Sequence, residues 1–280
     1  MTATLRRQGV YWLLIAPALG LMAAFFIFPL LRILWISVAE PSFGLQNYAL
    51  LLSSGAIQRI LATTARICVL TTALTLVGGY IVAYALVHAG ERQRQWMLFC
   101  VLLPFWLSVL VRAFAWVMLL RRDGAVNATL LALGLIDVPL TLVRNEFGVI
   151  VGMVHYMLPY AVLPLYANML GIDRRLVAAA RGLGAGAWTA FHKVFLPLSL
   201  PGLVGAAVLV FVFSLGFYIT PAILGGGKTV MIAEYIGVNI LHNTRWGLAT
   251  MLASTLLVTV LLLLGLMSRV VDMRKLYGAA

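Results

Sequence analysis

Acidic residues are scarce in this 280-residue chain. There are eight: Glu40, Glu91, Asp123, Asp137, Glu146, Asp173, Glu234 and Asp272. None falls in the middle of an apolar run, which argues against a self-contained proton- or sodium-coupled transporter, a class that usually needs an intramembrane carboxylate or an equivalent site. The same scarcity leaves no paired carboxylates for hydrolysis, and neither an HExxH zinc pair nor a GxSxG nucleophile is present. Cysteine is nearly absent as well. Cys68 and Cys100 both lie in apolar runs without metal-ligand spacing, so neither a disulfide framework nor a metal site is expected. The four histidines, at 88, 155, 192 and 242, are scattered, and structural roles are the default for each. Nucleotide-binding loops are imitated but not built. Gly227-Lys228-Thr229 ends like a phosphate loop, but Ala222 stands where that motif needs glycine. Gly182-x-Gly184-x-x-Ala187 has no strand before it and no acid about 20 residues beyond. The chain is therefore expected to hold no nucleotide, and energy from ATP would have to come from another polypeptide.

What the chain does have is apolar length. Hydrophobic residues make up 63% and charged ones 10%, against about 25% charged in a soluble domain. That composition indicates an integral membrane protein, and the length of its apolar runs an all-α one. The net charge of +12 does not indicate nucleic acid, because the basic residues sit at the ends of apolar segments, where they set topology and meet anionic lipid. Six segments are long and apolar enough for a span, which requires roughly 20 residues: Val10–Val38, Ile60–Val87, Trp96–Leu120, Phe147–Leu170, Leu196–Thr220 and Gly247–Ser268. The first follows Arg6 and Arg7 like a signal peptide, yet its apolar run is too long for one, so a retained anchor is expected. Alternating sides puts Arg6, Arg7, Arg92, Arg94, Arg174, Arg175, Arg181, Lys193, Arg269, Arg274 and Lys275 together. Arg59, Arg121, Arg122, Arg144, Lys228 and Arg245 fall opposite. The richer side is cytoplasmic by the positive-inside rule, which puts both termini inside. No internal repeat or linker divides the chain, so 1–280 reads as one membrane domain, with room for short helices in its outer connections.

The polar interruption Asp173–Pro201 sits between two of those runs. Leu176, Ala179, Ala180 and Leu183 recur at helical spacing. Gly182, Gly184 and Gly186 then allow a sharp turn, and Trp188, Phe191, Val194 and Phe195 give a second short helix an apolar face. Small residues at Ala178, Ala179 and Ala180 allow a partner's backbone to approach. An ordinary interfacial amphipathic connector is the competing reading. Two arginines, Arg66 and Arg112, lie inside spans, where a charge is costly unless it meets a partner or water. Arg112, Trp116, Tyr160, Phe217 and Tyr218 are candidates for lining a passage, aromatic faces attracting an organic cation. Structural pairing, snorkelling and core packing compete with that reading. Pro221 with Gly225, Gly226 and Gly227 suits a bend that closes its outer end.

Ala178-Ala179-Ala180, Gly184 three residues on, and Val194-Phe195-Leu196-Pro197 after nine more fit the pattern EAA-x3-G-x9-I-x-L-P. The loop resembles the one by which permease subunits of bacterial ABC importers dock on their ATPase, with Ala178 standing where that pattern has glutamate. Further segments are similar to the spermidine/putrescine-type permeases of that class. They are LPFWLSVLVRAFAW (103–116), LLRRDGAVNATLLALGLID (119–137), NEFGVIVGMVHYMLPYAVLPLYA (145–167) and GFYITPAILGGGKTVMIAEYI (216–236). The resemblance covers most of the chain after Pro104. It implies a type I importer permease fold of six spans in the bacterial inner membrane, surrounded by lipid. Its implied partners are a second homologous permease, two ATP-binding subunits that hold ATP and magnesium, and a periplasmic or extracellular substrate-binding protein. It further implies that Val177, Ala178, Ala179, Ala180, Arg181, Gly182, Leu183, Gly184, Ala185, Trp188 and Phe191 form the ATPase-coupling surface. The implied cargo is a polyamine; an amino-acid-like or anionic solute remains the alternative.

Overall fold

A computed structural model describes Trp12 and residues 14–270. Arg6, Arg7, Asp272, Arg274, Lys275 and the start of the first expected span at Val10 lie outside the described residues. Among the described residues the chain is helical, without strands. Five helices are long and apolar enough to cross a membrane: α1 (Leu14–Ala39), α3 (Gly55–His88), α7 (Glu146–Leu170), α9 (Ala187–Leu215) and the helix beginning at Trp246. At 1.5 Å per residue, the 25 residues of α7 extend about 37 Å, enough for a hydrocarbon core of about 30 Å. Shorter helices are α2 (Gln46–Ser53), α4 (Glu91–Trp106), α5 (Val109–Leu120), α6 (Ala125–Ala132), α8 (Arg174–Gly182), α10 (Ile219–Leu224) and α11 (Ile232–Leu241); α12 (Trp246–Val270) is the last.

The third expected span, Trp96–Leu120, is not continuous. The chain bends by 102° between α4 and the helical segment that starts at Val109, with Leu107 and Ser108 extended at the joint. Pro104 supplies no amide to the end of α4, and Leu107 N–H turns back to the Pro104 carbonyl at 3.3 Å. Counted as one broken span, the pair brings the number of crossings to six. The fifth span also differs from expectation. The second short helix of the loop is not separate: it begins at Ala187 and runs without interruption to Leu215. A wide π turn at Phe191–Phe195 carries it past Pro197.

Two compact groups of residues form, one from the chain up to Ile57 with Tyr235–Val258, the other from Gln58–Glu234 with the chain from Thr259. In the first, the buried Asn47 donates to the Glu40 carbonyl at 2.6 Å, and Ser37 Oγ meets Tyr48 Oη at 2.9 Å. Along α1 nearly every apolar side chain is exposed.

The second group is built on α3, α7 and α9. Ala83 and Val87 from α3, Met157, Ala161, Leu165 and Met169 from α7, and Phe195, Ala206 and Val210 from α9 make its core. Small residues bring the backbones together: a Cβ on Gly79 would lie 2.9 Å from Ala161 Cβ, and one on Gly202 would lie 2.5 Å from Asn168 Cβ. Asn145 caps α7 by accepting from Gly148 N–H. Arg66 of α3 pairs with Glu146 at the start of α7, which gives that intramembrane arginine its partner. Glu146→Gln leaves Arg66 without its carboxylate, so the thermal midpoint should fall by a few degrees, about 1 kcal/mol at most for so exposed a pair. Adding Arg66→Gln should recover most of the loss. Identical midpoints for wild type and Glu146→Gln would show that the pair does not contribute.

Candidate functional site

The polar loop folds as a capped helix, a tight turn and a long helix. Asp173 accepts from Arg175 N–H and starts α8. The turn after Gly182 closes through Gly184 N–H to Arg181 O at 3.0 Å and Ala185 N–H to Ala180 O at 3.1 Å. Gly184 has φ +90°, a conformation that glycine adopts without a side-chain penalty. Gly186 then caps α9 in an extended conformation. The loop has an inner and an outer face. Val177 and Phe191 turn inward onto the core, while Ala178 and Ala179 are exposed. Leu183 is 90% and Trp188 74% exposed, so this face presents large apolar groups. Ala180, Leu183, Gly184 and Ala185 line one shallow groove, whose far wall is Thr189, Lys193 and Val194 of α9. Behind α8 a second pocket of about 390 Å³ takes in Ala178, Arg174 and Arg181, with Val87 and Phe195 among its apolar walls. Arg174 donates to the Val87 carbonyl and so ties α8 to the end of α3. The apolar spacing read from sequence thus describes an outward face, not one packed on the chain's own core.

A second cluster gathers around Tyr156, which sequence reasoning passed over. Arg112, in the first turn of α5, sets its guanidinium carbon 4.3 Å from the Tyr156 ring centroid. Tyr160 stacks on the same ring at 5.9 Å and Phe217 lies against it at 4.5 Å. Tyr160 in turn meets Phe105 and Phe213 edge-on at 5.1 and 5.0 Å. Trp116 Nε1 donates to His155 Nδ1 at 3.2 Å, which makes that nitrogen the acceptor of a neutral imidazole. Of the candidates, Arg112, Trp116, Tyr160 and Phe217 come together. Tyr218, just before α10, is 40% exposed and contributes no ring contact to this group. The missed signal was positional: Gly152, Tyr156 and Tyr160 recur every four residues and share one face of α7.

α10 packs on both α5 and α7 and leads into the Gly225–Gly227 bend. A Cβ on Gly152 would come within 2.7 Å of Thr220 Cγ2, so α7 and α10 touch closely there. Pro221 is buried; Gly225 is enclosed by the Pro221 and Thr229 carbonyls, and Gly226 lies under the Arg144 side chain. Gly226 and Gly227 adopt φ +56° and +74°. Just beyond, Ile232 N–H donates to Thr64 Oγ1 at 2.9 Å. Glu234, in an apolar helix too short to span, is 8% exposed, and its Oε2 has no hydrogen-bond partner. Burial pushes its carboxyl above the ordinary 4.5, against a smaller opposite pull from a backbone hydrogen bond at Met231. The folded protein therefore keeps this proton to higher pH than the unfolded chain. Its contribution to stability is full below pH 4.5 and is lost as pH rises through the folded-state value. Glu234→Gln should become increasingly more stable than wild type across that rise in a pH series of thermal midpoints. A constant difference would remove Glu234 as the cause.

Residues 75–274, a stretch that includes both clusters, match the family described as binding-protein-dependent transport system inner membrane component. The chain is 33% identical over 230 residues to the spermidine/putrescine transport system permease protein PotB of Salmonella typhimurium (strain LT2), covering 81% of this chain and 80% of that protein. It is 32% identical over 229 residues to the protein of the same name in Escherichia coli (strain K12), covering 81% and 83%. In fold it is similar to a chain in the crystal structure of a bacterial ABC transporter involved in the import of the acidic polysaccharide alginate. The TM-score is 0.78 with 19% identity, covering 96% of this chain and 98% of that one.

Proposed function

The chain belongs to the family of binding-protein-dependent transport system inner membrane components, and from that premise we propose that it forms half of a polyamine-importing pore. It is a multi-pass inner-membrane permease of an ABC transporter, a transport component and not an enzyme, and works with ABC subunits and a periplasmic binding protein. The finer assembly we propose is two ATP-binding subunits beneath this chain and a second homologous permease, with both termini cytoplasmic. ATP and magnesium belong to the ATP-binding subunits, and this chain binds no cofactor. Spermidine or putrescine is the cargo. The observation that carries this reading is 33% identity to a spermidine/putrescine permease across 81% of the chain.

The outward face of α8 and its turn supports docking of the ATP-binding subunit there. The aromatic cluster around Tyr156 supports an organic-cation passage, with the Gly225–Gly227 bend at its outer end. The test is uptake of labelled putrescine and spermidine into proteoliposomes holding the assembled complex and its binding protein. Uptake should require ATP and persist when ion gradients are collapsed. Uptake by this chain alone, driven by an ion gradient, would overturn the permease reading. ATP-dependent uptake of an anionic solute with neither polyamine transported would overturn the cargo alone.

A further inference from the structure

We infer that the face of Tyr156 is an organic-cation site on the transport path, and that Arg112 is its resident occupant, a tethered cation that the cargo displaces. This rests on the cation-passage reading above. The guanidinium sits over the ring centroid at 4.3 Å, the placement by which an aromatic face holds a cation. Nothing else neutralises it: among the described residues Arg112 has no carboxylate partner, and its buried Nε has no hydrogen bond. The neighbouring His155 offers Nδ1 to Trp116, not to Arg112. A half-buried arginine held by a ring without an anion is readily exchanged for another cation, because both states make the same kind of contact. The intramembrane arginine, which should repel a polyamine, thereby becomes the marker of where a polyamine sits.

The pocket bounded by Arg112, Trp116, Gly152, His155, Tyr156 and Thr220 has about 10 Å³ of free space, roughly one water molecule's worth. While Arg112 occupies it, neither cargo nor a small cation has room. An exit route is built in. Arg112 N–H bonds to the Ser108 carbonyl at 3.1 Å, so the side chain rides on the first turn after the extended Leu107–Ser108 joint. Rotation at that joint would move the guanidinium off the ring. The aromatic contacts through Tyr160 to Phe105 and Phe213 provide further faces for the displaced or incoming charge.

The experiment uses the whole transporter in proteoliposomes, with Cys68 and Cys100 replaced and Val109→Cys reporting from the pocket wall. Labelling rates are compared for two thiol reagents of similar size, one bearing a trimethylammonium and the other a sulfonate. Arg112→Gln should speed the cationic reagent roughly tenfold, the scale of a partly desolvated cation–ring contact. Adding Tyr156→Leu should return the cationic rate to near its starting value and leave the sulfonate rate unchanged, whereas adding Tyr156→Phe should preserve the acceleration. If the leucine variant labels as fast as Arg112→Gln alone, the ring is not the site. If Arg112→Gln does not speed the cationic reagent, the arginine is not its occupant. Should the glutamine variant fail to assemble, Arg112→Lys, a more compact cation, should give a smaller acceleration in the same direction; no acceleration there would likewise overturn the assignment. The reagents are not cargo, so a wild-type complex that transports no polyamine would end the cargo reading while the labelling result still stood.

Discussion

Gly184→Val is expected to leave ATP hydrolysis by the assembled transporter close to normal while uptake falls to about a tenth or less. The cause is conformational. A Cβ at Gly184 would meet nothing within 4 Å, so no clash is involved. What the variant meets is φ +90°, where a β-branched residue is held at a cost of about 1–3 kcal/mol. The turn relieves that cost by rebuilding with negative φ, and α8 then leaves the start of α9 in a different direction. Since α8 presents Ala179 outward, its direction would, on the docking proposed above, decide whether an ATP-binding subunit can move this chain. Gly186→Ala is the control, because Gly186 is extended at φ −63° and a Cβ there also meets open space; its uptake should match wild type. Ala179→Asp should reduce uptake as Gly184→Val does, by placing a desolvated charge in the interface. Normal uptake by both Gly184→Val and Ala179→Asp would show that this face carries no coupling.

Gly225→Ala should also cost most of the transport, for the opposite physical reason. Its backbone has an ordinary φ of −76°, but a Cβ would stand 2.5 Å from the Thr229 carbonyl oxygen and 2.6 Å from that of Pro221. Both obstacles are backbone, so the whole 221–229 turn has to open. Overpacking of this kind costs about 1–3 kcal/mol, and uptake should drop roughly tenfold with the complex still assembled. Gly227→Asn separates the two effects. Gly227 has φ +74° and open space around it, and asparagine tolerates the left-handed region better than most residues. Near-normal uptake is expected there. Should Gly225→Ala transport normally while Gly227→Asn fails, the bend works through its dihedral angles and not through tight closure.

The residues that were legible from sequence are those whose signal is local. The ends of α7 match the apolar run within one residue, because Asn145 caps one end and Gly171 follows the other. The turn at Gly184 was legible because few other residues tolerate its conformation. The break at Leu107–Ser108 was not, since only Pro104 and Ser108 mark it within a predominantly apolar stretch, and hydrophobicity reports what a segment dissolves in, not the path its backbone takes. The continuity of α9 through Pro197 was hidden for a related reason. Proline normally ends a helix by clashing with the carbonyl four residues earlier. Here that residue is Lys193, inside the π turn Phe191–Phe195, whose wider backbone relieves the clash. The same device recurs at Pro29, four residues after Phe25 in the π turn Ala23–Ile27. Tyr156 was missed because its importance depends on Arg112, 44 positions away: the four-residue recurrence places it on one face of α7 but does not encode that meeting.

The uninterrupted α9 makes the polar loop and the aromatic cluster two ends of one rod. From Ala187 beside the turn to Phe213 against Tyr160, the helix covers roughly 39 Å at 1.5 Å per residue. A hinged joint at Pro197 would have absorbed a push at the near end as local bending. A continuous helix leaves less slack: a tilt at Ala187 would be carried toward Phe213, scaled by where the rod pivots. Gly202, where a Cβ would lie 2.5 Å from Asn168 Cβ of α7, is a point of close approach and a natural fulcrum. With eleven residues from Gly202 to Phe213 and fifteen from Ala187 to Gly202, the near arm is the longer one, so the lever trades travel for force where the rings meet.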